Sequence, residues 1–84
     1  MTAVAVQILD FLTAELDRSG RSAALTAHAP LLESGVLDSV TLMGLIAFLE
    51  DRFAIALDPE QIVPEHFDTV EAIAALVGAN GPGA

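Results

Sequence analysis

The chain has no cysteine and no lysine, and its three arginines stand against twelve acidic residues. Each absence closes a class of function. Without cysteine there is no disulfide framework, no thiolate metal site and no cysteine nucleophile, and a reducing cytosol is compatible with that composition. A net charge of -9 argues against nucleic acid and against anionic membrane surfaces, whose binding depends on neutralising phosphates. Basic partner proteins are the better fit. No apolar run approaches membrane-spanning length, and the start, Met1-Thr2-Ala3-Val4, lacks the basic region of a signal peptide, so the expectation is a soluble, cytoplasmic chain. There is no glycine-rich phosphate loop, since Gly35 and Gly44 stand alone. The carboxylates lack the Asp/Asn/Gly rhythm of a calcium loop. There is also no internal repeat and no segment with convincing strand alternation.

What is present is helical. Eighty-four residues allow one domain with one small core. The apolar fraction of 54% owes much to alanine, which forms helices better than it fills cores. From Ala3 to Arg18, Ala5, Ile8, Leu9, Leu12 and Leu16 recur at helical spacing, with Gln7, Asp10, Asp17 and Arg18 on the other side. Ser19-Gly20 ends this first helix. Residues 21–37 show no period, and so long a loop in a small domain has to be functional or pinned down. Leu25, Leu31 and Leu32 are the expected pins, and Gly35 supplies the turn before Asp38.

The second helix is expected from Ser39 to Phe53. Asp38 reads as its N-cap, with a carboxylate able to accept the amide protons of Val40 or Thr41. Leu37 and Leu42 occupy the positions of a hydrophobic staple. Leu42, Leu45, Ile46, Leu49 and Phe53 form the expected buried stripe, leaving Val40, Met43, Gly44, Ala47 and Asp51 outward, with Phe48 between the two faces. A solvent face normally carries charge, so this apolar one reads as a partner surface, and methionine is over-used on adaptable binding surfaces. Asp58-Pro59-Glu60-Gln61 has the pattern of another short helix start. Pro64-Glu65-His66-Phe67 reads as one further turn with Phe67 in the core. A last helix follows Asp68-Thr69-Val70-Glu71 with Val70, Ile73, Ala74 and Val77 as its stripe. The fold is expected to occupy residues 1–78, with 79–84 a flexible tail.

The chemistry available is sparse. His28 and His66 are the only imidazoles, and neither lies in a metal-binding pattern or at a spacing that places a carboxylate and a serine beside it. They read as solvated or packing residues. The chain is also too short to enclose an ordinary substrate pocket alongside a core. What remains is Ser39, exposed on the first turn of a helix whose N-terminus suits a phosphate ester.

Leu31-Leu32-Glu33-Ser34-Gly35-Val36-Leu37-Asp38-Ser39-Val40, followed by a helix ending in Leu49-Glu50-Asp51-Arg52-Phe53, resembles the modification region of acyl and peptidyl carrier proteins. The similarity runs from the first helix to about Val77 and includes the Pro64-Glu65-His66-Phe67-Asp68-Thr69 approach to the last helix. The resemblance implies an all-α four-helix bundle with a long first loop and a short third helix. It implies that Ser39 receives 4'-phosphopantetheine from coenzyme A by the action of a separate, magnesium-dependent phosphopantetheinyl transferase. The thiol of that arm would hold an acyl or aminoacyl group as a thioester, placed there by an adenylation enzyme or acyltransferase and used by downstream synthase or tailoring enzymes. The carrier itself would be monomeric and non-catalytic. Glu33, Asp38, Glu50 and Asp51 would steer basic partners.

One departure bears on the pathway. Carriers of fatty-acid synthesis usually show more carboxylates along the outward face of the second helix, where this chain has Met43, Gly44 and Ala47. A more hydrophobic docking face favours a free-standing carrier of polyketide or nonribosomal-peptide synthesis over one of primary fatty-acid synthesis. The alternative from another class is an unmodified helical adaptor using the same face. No residue encodes the cargo.

Overall fold

A computed structural model describes residues 2–20 and 25–80. In it the chain forms α1 (Ala3–Arg18), α2 (Ser39–Phe53), a single 3-10 turn (Pro59–Gln61), α3 (Pro64–Phe67) and α4 (Val70–Asn80). Among the described residues there is no strand. The all-α, four-helix expectation is met, with α3 a single turn.

Thr2 caps α1 by accepting the Ala5 N–H on its Oγ1 at 3.1 Å, and Ala5, Ile8, Leu12 and Leu16 form its buried stripe. Leu9 lies half-buried beside them. α1 packs chiefly on α4 and more lightly on α2. The contact with α2 is made partly by rings: Phe11 stacks on Phe48 with centroids 4.5 Å apart, and Phe53 meets Phe48 edge-on at 6.2 Å. Phe48 therefore helps couple α2 to α1, a role its position between two faces left open.

The first loop is pinned, as its length requires. The Leu31 N–H donates to the Asp68 carbonyl at 2.8 Å, and the Glu71 N–H donates to the Ala27 carbonyl at 3.2 Å, so the loop is tied to the α3–α4 junction. Leu31 is fully buried and Leu25 and Leu32 only half so, while Val36 and Leu37 also enter the core. Leu37 is held further by its N–H, which donates to the Leu31 carbonyl at 3.0 Å. Residues 21–24 of the expected loop lie outside the described residues.

Phe67 sits in the core with 1% of its surface exposed, and Thr69 Oγ1 caps α4 by accepting the Ala72 N–H at 3.1 Å. On α4, Val70, Ile73, Leu76 and Val77 are buried. Leu76 takes the place expected for Ala74, which lies half-buried at the edge. α4 continues through Gly78, Ala79 and Asn80, where Asn80 Nδ2 donates to the Leu76 carbonyl at 2.9 Å. Of the expected tail, residues 81–84 lie outside the described residues. No described helix is long and apolar enough to cross a membrane.

Candidate functional site

Three consecutive residues set the entrance to α2. Leu37, 4% exposed, anchors the loop in the core. Asp38 follows in extended conformation, and its Oδ1 accepts the Thr41 N–H at 2.8 Å while its carbonyl accepts the Leu42 N–H at 2.8 Å. Asp38 is thus the N-cap expected, with Thr41 the amide it satisfies. Gly35 makes the preceding turn at φ 78, a backbone region that favours glycine. Ser39 is then the first residue of α2 and is exposed.

The surroundings suit a phosphate ester on that hydroxyl. Ser39 opens a fifteen-residue helix with no acidic side chain in its first turn, so the positive end of the helix dipole faces its hydroxyl, offset in part by the Asp38 carboxylate that takes the Thr41 N–H. Between the last turn of α1 and the first turn of α2 lies an open cleft of about 230 Å³. Its floor and walls include Leu16, Val36 and Val40, and its rim is polar.

Along α2 the expected outward face is outward. Val40 is 82% and Met43 70% exposed, two of the three large apolar side chains most open to solvent among the described residues. Gly44, Ala47 and Asp51 are exposed beside them. Gly44 also lies near the seam with α1, where a Cβ would stand 3.9 Å from the Phe11 ring. The expected inward stripe is narrower than its periodicity suggests: Leu45 and Leu49 are fully buried, whereas Leu42, Ile46 and Phe53 are half-buried.

Two of the four carboxylates expected to steer partners have another occupation, Asp38 as the cap of α2 and Glu50 within that helix. Glu50 Oε2 accepts the Leu57 N–H at 3.0 Å, which braces the segment after α2. Glu33, Asp38 and Asp51 remain exposed. The histidines are engaged on the α3–α4 side of the fold, His28 Nδ1 lying 3.2 Å from Glu71 Oε2 and His66 Nδ1 lying 2.7 Å from the Gln61 carbonyl. No group of three or more His, Cys, Asp or Glu that could hold a metal ion occurs among the described residues.

Comparison with known proteins places this geometry. The family model described as the phosphopantetheine attachment site matches residues 6–77. The chain is 30% identical over 74 residues to the probable acyl carrier protein PigG of Serratia sp. (strain ATCC 39006), a match covering 88% of this chain and 75% of that protein. It is 42% identical over 59 residues to the lincomycin biosynthesis protein LmbN of Streptomyces lincolnensis, covering 70% of this chain but 21% of LmbN. Among solved structures it superposes with a TM-score of 0.74 and 33% identity on a chain from the crystal structure of an FAD-dependent dehydrogenase, covering 83% of this chain and 97% of that one. The match to the family model spans α1, the first loop, α2, α3 and most of α4, and the chain belongs to the acyl and peptidyl carrier proteins, which bear covalently attached 4'-phosphopantetheine.

Proposed function

We propose that Ser39 is the attachment residue and that the chain is a free-standing carrier which holds acyl or aminoacyl intermediates as thioesters for partner enzymes of a specialised metabolite pathway. The observation that carries this reading is the exposed Ser39 hydroxyl on the first turn of α2, behind a capped and anchored entrance, within the span matched by the attachment-site family. Transfer would form the bond from Ser39 Oγ to the pantetheine-bearing phosphorus and break the pyrophosphate link of coenzyme A, adenosine 3',5'-bisphosphate leaving with the bonding electron pair and the serine proton passing to a base on the transferase. The chain's own share is to present the hydroxyl and to tolerate the phosphodiester. Both follow from exposure and the helix dipole. Once attached, the arm supplies a thiol for thioester chemistry.

Ser39 has no catalytic role in this reading. A nucleophilic serine needs a base within hydrogen-bond reach and a third group to orient that base. Both histidines are bonded to partners on the α3–α4 side.

Docking falls to Val40, Met43, Gly44, Ala47 and Asp51. Exposed apolar residues on a helix otherwise half-covered mark a contact surface, with Asp51 at its edge to favour basic partners. The likeness to a protein of lincomycin biosynthesis favours a specialised pathway over primary fatty-acid synthesis. The likeness to a chain in an FAD-dependent dehydrogenase structure favours a flavin enzyme among the tailoring partners. The remaining partners are a phosphopantetheinyl transferase and a loading enzyme, either an adenylation enzyme or an acyltransferase.

The test is incubation with coenzyme A, magnesium and a broad-specificity transferase, read by intact mass. Wild type gains one phosphopantetheine and Ser39→Ala gains none. An unmodified wild type, in an assay that modifies a control carrier, overturns the reading.

A further inference from the structure

The cleft beside Ser39 has lining chemistry that presentation of a hydroxyl does not require. α1 contributes Glu15 and Leu16 from its last turn, and Ser19 follows as its C-cap. The first loop contributes Val36 and Asp38, and α2 contributes Val40 and Thr41. The residues on either side of Ser39 thus both face the cleft, so anything joined to Ser39 starts at its edge. Its size is about 230 Å³, below the several hundred cubic ångströms that hold a drug-sized ligand. It can take a fragment of a few heavy atoms, not a whole arm with cargo.

The lining divides by chemistry. Leu16 and Val36, 4% and 6% exposed, offer apolar floor, and Val40 an apolar wall. The polar rim offers acceptors in the Glu15 carboxylate and the Ser19 hydroxyl oxygen, whose own proton is committed to the Leu16 carbonyl at 3.0 Å, while the Asp38 carboxylate is taken up by the Thr41 N–H. Glu15 is held in place by Arg18, with Nη1 3.1 Å from Oε1. Such a rim suits hydroxyl and amide donors. The phosphodiester, bonded to Ser39 itself, stays at the helix N-terminus. The next part of a phosphopantetheine arm is a neutral pantoyl unit, with two geminal methyl groups, a hydroxyl and an amide N–H, and it matches an apolar floor below an acceptor rim.

Resting on the reading of Ser39 as attachment residue, we infer that the cleft between the last turns of α1 and the start of α2 is a docking site for the pantoyl segment of the arm. Leu16, Val36 and Val40 contact its methyl groups, and Glu15 and Ser19 accept from its hydroxyl or amide. The arm is then parked along the α1 side between encounters, away from Met43 and Ala47, which leaves that part of the face clear for a partner.

The test uses the full chain carrying the arm, its modification first established by intact mass. Nuclear Overhauser contacts from the arm's geminal methyl groups to the Leu16 and Val36 methyl groups are expected. Amide shifts at Glu15 and Ser19 should also differ between the unmodified and modified chains. Shift changes confined to residues 38–41, with no contact to Leu16 or Val36, overturn the inference while leaving attachment at Ser39 intact. Absence of any mass gain overturns both. In modified Ser19→Phe, whose ring would fill the cleft, the Leu16 and Val36 contacts should disappear, with far-ultraviolet circular dichroism confirming retained helix. Their persistence counts against the site.

Discussion

α2 and α4 are both apolar helices, yet the molecule treats them differently. Four of the eleven residues of α4 are buried, against two of the fifteen in α2. α4 is enclosed by α1, α3 and the pinned loop, so its side chains find cover on most sides. α2 is supported on one flank, through Leu45, Leu49 and the Phe11–Phe48 stack. It is also fastened at its ends, by the Asp38 cap at the start and by Arg52 Nε donating to Gln7 Oε1 at 2.6 Å near the finish. α4 is held by its side and α2 by its ends. A helix held by its ends can spend a face on something other than folding, and on α2 that face carries Val40 and Met43.

The sharpest way to break this contrast is a pair of truncations. Ile73→Ala on α4 empties a fully buried site and should cost about 3 kcal/mol of stability, a large share of what a small domain possesses. Met43→Ala on α2 removes a side chain that is 70% exposed and should stay within about 0.5 kcal/mol. Urea denaturation of the two variants measures both. Comparable losses would mean that Met43 supports the fold, and the docking assignment would go with it.

A second measurement asks what the exposed face is for. Met43→Glu puts a charge in the middle of the apolar strip, and loading by the partner enzyme should fall by about tenfold, the equivalent of about 1.4 kcal/mol of lost contact. Helix content should not change. Loading at the wild-type rate would return this face to the status of an alanine-rich chain's ordinary surface. Third in size is the cap: Asp38→Ala should destabilise by about 1 kcal/mol, as Thr69→Ala should at the start of α4. If α2 depends on its ends more than α4 does, amide exchange over residues 39–42 should accelerate more than over residues 70–73. Equal acceleration would remove that half of the contrast.

The legible parts of the fold were those decided locally. α1 and α2 have the bounds that periodicity and capping indicate, because Asp38, Gly20 and the helical stripes act within a turn or two of chain. Ser39 was legible as an exposed residue for the same reason, its position depending on the cap next to it. What pattern alone could not supply was cover. Val36 is buried because the Leu31–Asp68 hydrogen bond draws the loop down onto the α3–α4 junction, a contact across more than thirty residues of chain. Leu42, Ile46 and Phe53 are only half-buried because α1 packs more lightly on α2 than on α4. Glu50 reads as a free charge until the chain turns back and presents the Leu57 N–H to it. The cleft beside Ser39 was missed too, since its walls come from α1 and α2 together.

The smallest effect tests the far end of α2. Ala54 closes that helix in the left-handed region at φ 53, where glycine is the usual occupant and a Cβ crowds the following carbonyl. Relief of that strain in Ala54→Gly is worth about 1–2 kcal/mol, and the extra freedom that glycine brings to the unfolded chain takes back about 0.5–1 kcal/mol. The net gain should be about 0.5 kcal/mol, visible as a small rise in the denaturation midpoint. Ala54 is exposed, so no lost packing obscures the reading. The sign is what matters. A gain would show that α2 is still under backbone strain at the end where it is fastened, whereas a loss would mean that the Ala54 methyl group contributes more to holding α2 than its conformation takes away. α2 would then owe part of its stability to side-chain contact at a place where the structure shows the residue open to solvent, and the division between a helix held by its ends and one held by its side would need to be redrawn there.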